Sequence, residues 1–356
     1  MQGGKTALHL FVKITRKFCL TAPPHRCIIR QFVRGVVRFG RCVQKKFAYG
    51  VIGMKHVLSC EQFNRGEIME LFELTDHIRE NEAAYRGAIS DKVVATLFYE
   101  PSTRTRLSFE AAILRLGGKN ISTENAKEMS SAIKGESLTD TIRVVDGYAD
   151  AIVMRHFEVD SAVRAAKVSR VPVLNAGAGS GEHPTQALLD AYTIFRNKGK
   201  IDGISCAILG DLLYGRTIHS LIKLLSLFDG ITIYGLSIES LALPQEYIDF
   251  MVNKGVKYVP VKHLHDLPKD LDVIYQTRTQ TERFLEQGIV AEEIVLDKAS
   301  MAHFGMGTMI LHPLPRNNEI SPDMDDDPRA VYFEQSLNGM YVRMGLLYEV
   351  LVNNKQ

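Results

Sequence analysis

From Lys92 to Leu311 the sequence alternates two kinds of stretch, and that alternation limits the fold more than any other feature. Short apolar, β-branched runs of strand length recur at 92–99, 151–154, 171–175, 204–209, 231–236, 256–259, 273–275 and 309–311. Between them apolar residues return at helical spacing, as at Leu107, Ala111 and Leu114 before the stop at Gly117-Gly118. Strands that are apolar on both faces and separated by helices belong in parallel sheets covered on two sides. The series pauses at Asn197-Lys198-Gly199-Lys200 and then starts again. The expected fold is therefore α/β, with two doubly wound parallel-sheet domains bridged by helices, and 356 residues leave room for both. In such folds the binding residues collect beyond the C-terminal ends of strands, near a switch point.

One strand end is chemically distinctive. The run at 92–99 leads into Glu100-Pro101-Ser102-Thr103-Arg104-Thr105-Arg106, which opens the helix carrying Leu107. The first turn of a helix presents unpaired N–H groups and the positive end of its dipole, which favour an anion. Three hydroxyls and two guanidinium groups are more than an N-cap needs, and they suit phosphate oxygens. Ser102, Thr103, Arg104 and Thr105 are read as a phosphate cradle. Arg106 is read as a structural ion-pair partner instead.

Further motifs sit at the other strand ends and in the loops. They are Met129-Ser130-Ser131-Ala132-Ile133-Lys134-Gly135-Glu136, Val153-Met154-Arg155-His156, His183-Pro184-Thr185-Gln186, Gly210-Asp211-Leu212-Leu213-Tyr214-Gly215-Arg216-Thr217, Gln276-Thr277-Arg278-Thr279-Gln280 and His312-Pro313-Leu314-Pro315-Arg316. With the Ser-Thr-Arg-Thr-Arg signature they resemble, in the same order, the aspartate and ornithine carbamoyltransferases, from about residue 54 to the C-terminus. The resemblance implies transfer of a carbamoyl group from carbamoyl phosphate to an amino acid, with no cofactor and no metal. It gives Thr105, Arg155 and His183 to the carbonyl oxygen, Gln186 to the carbamoyl amide, and Ser102 to Thr105 to the phosphate. It also implies a homotrimer with shared active sites, in which Ser130 and Lys134 reach into the neighbour's site. Glu100 would pair with Arg216 and Arg283, and the buried C-terminal helix would return to the first domain. Two positions depart from common members: Ile133 stands where a second Lys is frequent, and Leu213 where some carry Lys.

The second substrate follows from Arg278 and Gln280. A dicarboxylate amino acid calls for a cation that can grip its side-chain carboxylate, which Arg278 supplies. Arg216 suits the other carboxylate, and the backbone of Pro313 and Leu314 the amine. Ornithine transferases carry Cys where Pro313 stands, so L-aspartate is expected. A dinucleotide-binding alternative is weak, because the Gly210–Gly215 turn contains no G-x-G-x-x-G. Phe157, directly after the strand-end pair Arg155-His156, has two readings. It packs against a neighbouring helix, or it stacks on the base of a pyrimidine nucleotide such as UMP held by the same cradle as a competitor.

The net charge of +2 conceals a division. Residues 1–60 hold 12 Lys or Arg and no acid, leaving 31 basic and 41 acidic residues after them. So acidic a body does not suit nucleic-acid binding, and no apolar run is long enough to span a membrane. The five cysteines show no paired metal spacing, which favours a reducing compartment. Residues 1–53 read as a basic extension, disordered or targeting. Met54-Lys55-His56 looks like a start and transit peptides are richer in Ser, so a cytoplasmic location is expected, with a plastid or other organelle as the alternative. The domain reading is 54–190 for carbamoyl phosphate, completed by 338–356, and 191–337 for aspartate.

Overall fold

The computed structural model describes residues 55–126, 135–278 and 294–354, all within one compact unit. Among them, β1 (Val93–Phe98), β2 (Lys119–Glu124), β3 (Ala151–His156) and β4 (Val173–Ala178) form one sheet in the order β2-β1-β3-β4. A second sheet runs β7-β6-β5-β8-β9, from β5 (Ser205–Leu209), β6 (Thr232–Leu236), β7 (Lys257–Val261), β8 (Val273–Gln276) and β9 (Met309–Leu311). Every pairing is parallel, with Val94 opposite Ala151 and Cys206 opposite Val273 at the centres of the two sheets. β4 and β8 are buried at every position, so the unbroken apolar runs of the sequence are strands covered on both faces.

The helices that matter for the site are α1 (Arg65–Glu80), α2 (Thr103–Arg115), α3 (Leu138–Val145), α4 (Ser161–Val168), α5 (Pro184–Lys198), α6 (Arg216–Leu225), α7 (Gln245–Asn253) and α8 (Tyr332–Tyr348). The apolar spacing of Phe63, Ile68, Leu71, Phe72 and Leu74 predicts one helix from Cys60 to Glu80, and the structure breaks it. Cys60–Gln62 make a single 3-10 turn, and α1 starts only at Arg65. Asn64 is the reason: its side chain accepts from the Glu67 N–H, and the Glu67 carboxylate accepts from the Asn64 N–H. α5 opens with Pro184 at its first position and closes on Gly199 at φ 72°. α8 packs on α1, α2 and α5 and buries most of its circumference, including Gln335, Asn338 and Arg343.

Two strands differ from the sequence reading. β2 carries the polar sequence KNISTE, which gives no strand signal, and it forms because the edge of β1 offers it a ladder from Val93 to Phe98. β4 begins at Val173 rather than 171, since Pro172 has no N–H to give, and it continues to Ala178. In each sheet the chain reverses its direction of strand addition, between β1 and β3 and between β5 and β8. Those switch points mark where a site should lie.

Candidate active site

The two switch points face one cleft of about 500 Å³. Its lining includes Ser102, Thr103, Arg104 and Thr105 from the start of α2, Arg155 from the end of β3, and His183 and Gln186 from the start of α5. Arg216 from the start of α6, Arg278 just after β8, and Pro313 and Leu314 after β9 complete it. Residues far apart in sequence, each singled out by its own motif, are thus brought together. Ser130, Lys134, Gln280 and Arg283 lie outside the described residues.

The anion-binding end follows from how α2 begins. Ser102 is its N-cap yet makes no side-chain capping bond, and the first turn holds no acid. The helix N-terminus is left open toward the cleft, unlike that of α1, which its own Glu67 closes. Thr105 is buried, and its Oγ1 lies 3.5 Å from His183 Nε2. Arg106 turns away and pairs with Glu110 at 3.3 Å and Glu124 at 2.7 Å, the structural role read for it.

His183 is held by its backbone N–H, which donates to Ser220 Oγ at 2.9 Å, while its Nδ1 is buried with no hydrogen bond. Burial first, then the charges of Arg155, Arg216 and Arg343, push its pKa well below the usual histidine value. The ring is therefore neutral near pH 7, with one N–H to give. Arg155 lies 3.4 Å from Glu100, and burial lowers its pKa to about 10, aided by Arg216. Gly177, at φ 118°, lets the chain pass beside both: an added Cβ would meet Arg155 Nη1 at 3.0 Å. Arg216 reaches across from the second sheet to the Gly179 carbonyl and to Glu100 at 3.7 Å.

After β9, Leu314 adopts φ 54°, a left-handed conformation that costs a branched residue about 1–2 kcal/mol. His312 holds it there, its Nδ1 accepting from the Leu314 N–H at 2.8 Å. His312 Nε2 meets Glu319 Oε1 at 2.8 Å, with both side chains buried. Phe157 is not part of the cleft wall: its ring stacks on His156 at 4.2 Å and stays 42% exposed.

Sequence reasoning missed Arg343, Gln335 and Asp190. Arg343 and Gln335 line the cleft from α8, and Arg343 lies over the Phe109 ring at 5.0 Å. An arginine inside an otherwise apolar helix was the available signal for Arg343. For Asp190 it was the spacing of four residues from Gln186 on one helix face. Five arginines line the cleft, and no Asp or Glu does so among the described residues.

Two family profiles match the chain: "Aspartate/ornithine carbamoyltransferase, carbamoyl-P binding domain" over residues 55–196, and "Aspartate/ornithine carbamoyltransferase, Asp/Orn binding domain" over 202–350. A chloroplastic aspartate carbamoyltransferase of Oryza sativa subsp. japonica is 45% identical over 350 residues, covering 93% of this chain and 96% of its own. The aspartate carbamoyltransferase catalytic subunit of Methanocaldococcus jannaschii is 46% identical over 85% of this chain and 99% of its own. Among solved structures, aspartate transcarbamoylase from Trypanosoma cruzi in complex with carbamoyl phosphate and aspartate superposes with a TM-score of 0.79. It has 40% identity and covers 84% of this chain and 97% of that one.

Proposed function

The chain belongs to the aspartate/ornithine carbamoyltransferase family, and we propose that it transfers the carbamoyl group of carbamoyl phosphate to the amine of L-aspartate. The products are N-carbamoyl-L-aspartate and phosphate, an early step in making pyrimidine nucleotides. One observation carries this reading: a cleft walled by five arginines with no carboxylate among its described lining. Carbamoyl phosphate and aspartate together bring a phosphate and two carboxylates. Ornithine would bring a second ammonium into the same field, where like charges repel.

The phosphate of carbamoyl phosphate lies at the N-terminus of α2, held by Ser102, Thr103, Arg104 and Thr105. Thr105, Arg155 and the neutral imidazole of His183 donate to the carbamoyl oxygen, and Gln186 takes the carbamoyl amide. Arg216 and Arg278 hold the two carboxylates of aspartate, and the carbonyls of Pro313 and Leu314 accept from its amine. With the amine so aimed, its lone pair attacks the carbamoyl carbon and the C=O electrons move onto oxygen. Each fixed donor to that oxyanion is worth about 3–4 kcal/mol of barrier. Collapse breaks the bond to the phosphate oxygen, and the departing phosphate takes the amine proton. Ser130, Lys134 and Gln280 are assigned to the same site from the sequence, with Lys134 and Ser130 coming from a neighbouring copy in a homotrimer.

Two regulatory and cellular readings accompany this. UMP would compete through the phosphate cradle, but Phe157, outside the cleft wall and stacked on His156, is left to its packing reading. For residues 1–53, organelle targeting is now the better supported alternative to a cytoplasmic enzyme. The match to the chloroplastic relative covers 93% of the chain, more than residues 54–356 can supply. The deciding assay is phosphate release from carbamoyl phosphate with aspartate or ornithine as acceptor. Turnover with aspartate alone is expected, and comparable turnover with ornithine would sink the assignment.

A further inference from the structure

Asp190 lies beneath the floor of the cleft on α5, with none of its surface exposed. One turn earlier on the same helix, Gln186 donates from Nε2 to Asp190 Oδ1 at 2.8 Å. Gln335 of α8 donates to the same oxygen at 2.6 Å, and the Tyr275 hydroxyl of β8 donates to Oδ2 at 2.7 Å. Three donors from three elements, one of them in the second sheet, converge on one carboxylate. The far end of Gln335 is also engaged: its Oε1 accepts from the His312 N–H at 2.9 Å.

An amide side chain has a donor end and an acceptor end, and its partners decide which way it points. Oδ1 of Asp190 takes both of these donors and accepts whether or not the other oxygen carries a proton, so both glutamines turn nitrogen toward Asp190 and oxygen away from it. For Gln335 that oxygen meets His312, where the turn of Pro313 and Leu314 begins. For Gln186 it is left to the cleft, where an incoming amide offers hydrogens. A reversed Gln186 would set donor against donor.

We propose that Asp190 is a positioning residue: by accepting from Gln186 and Gln335 together, it aims the Gln186 carbonyl at the carbamoyl amide and anchors the His312 turn. This rests on the carbamoyl-transfer reading above. Burial raises the Asp190 carboxyl to about 7, opposed by the bonds from Gln335, Tyr275 and Gln186 and by the charge of Arg343. A carboxylate kept at such desolvation cost, where an apolar side chain would pack, points to a role other than stability.

The carbamoyl-transfer reading stands or falls on wild-type turnover, whereas the Asp190 inference is read from ratios between variants. Asp190→Leu should raise KM for carbamoyl phosphate about 5- to 150-fold, the range for buried polar groups left without a partner. It removes both acceptor oxygens, whereas Asn could keep one oxygen toward both glutamines and give its NH2 to the Tyr275 oxygen. Inhibition by inorganic phosphate, which occupies only the α2 end, should change by less than about twofold. In a Gln186→Leu background Asp190→Leu should add less than about threefold, because the two act through one contact. Losses that multiply, or equal losses for both ligands, would overturn the proposal. Gln186→Glu tests the same contact with Asp190 retained. Protonated, the new carboxyl gives Asp190 a hydrogen and keeps its carbonyl toward the cleft; ionised, it cannot. The groups facing this pair are Arg343 of α8, Tyr275 of β8 and Cys206 of β5. KM of that variant for carbamoyl phosphate should climb with pH relative to wild type, and a parallel pH profile would refute the role.

Discussion

Single side chains here do opposite things to chemistry and to stability. Arg278 is half-buried in the cleft wall, and in the proposed reaction its charge would distinguish a dicarboxylate from a diamine. Removing one partner of a desolvated charge pair costs about 2–5 kcal/mol. Arg278→Ala should therefore raise KM for aspartate about 100-fold or more, with the inhibition constant for inorganic phosphate within about twofold of wild type. Steady-state kinetics with phosphate as inhibitor would show it. His156 makes a different point. It is packed between Tyr99 and Phe157, its Nδ1 accepts from the Glu158 N–H, and burial, with Arg164 adding to it, lowers its pKa to about 4. Asp160 opposes that shift. Below the unfolded value near 6.5 the unfolded chain binds a proton that the fold does not, so stability falls as pH drops from about 6.5 to 4. The loss should be about 1–3 kcal/mol, allowing for partial solvent screening. His156→Asn keeps an acceptor there but cannot be protonated, and its melting temperature should fall less over that window. An unchanged slope would exclude His156 as the source.

At the scale of elements, the start of α2 is a helix terminus kept incomplete. α1 satisfies its own first turn with Asn64 and Glu67, while Ser102 offers α2 no capping bond and no acid follows it. Ser102→Asp should supply what is missing, stabilising the fold by about 0.5–1 kcal/mol in thermal denaturation. The same carboxylate would occupy the anion position, so protection by inorganic phosphate should vanish. Retained phosphate binding in that variant would mean the anion sits elsewhere. This element was legible in the sequence because strand, turn residues and helix periodicity all agree there. β2 was not, because KNISTE has neither alternation nor apolar content, and its strand conformation is imposed by the edge of β1. The break at Phe63-Asn64 was obscured by apolar spacing that runs straight through it, and only the capping pair reveals it. In the site, motif residues could be found singly from the sequence. The hydrogen bonds through Asp190 could not, since they join α5, α8 and β8 across about 145 residues of chain.

The whole molecule raises the question of what completes the site. Among the described residues, eight large apolar side chains are exposed on the part of the chain that carries the first sheet, at Leu107, Leu114, Ile121, Val144, Tyr148, Phe157, Val159 and Val163. Five others are spread over the second sheet's layers and α8, at Val252, Val295, Met306, Phe333 and Leu337. Scattered apolar residues are ordinary on a surface, but this bias favours the first lobe as the contact face of the proposed homotrimer. A lysine that served its own chain's cleft would gain nothing from such assembly, whereas one that served a neighbour would make assembly a condition of activity. The two arrangements separate cleanly in mixed trimers. If each site takes Arg104 from one chain and Lys134 from the next, Arg104→Ala and Lys134→Ala homotrimers are both inactive. Any cyclic trimer containing both kinds of chain, however, has one junction at which an intact Arg104 meets an intact Lys134. Random exchange of equal amounts should then restore about a quarter of wild-type activity, since about three quarters of trimers are mixed and each regains one site of three. Activity measured after exchange, with mixing verified by mass, decides the matter. No recovery would place Lys134 in the cleft of its own chain.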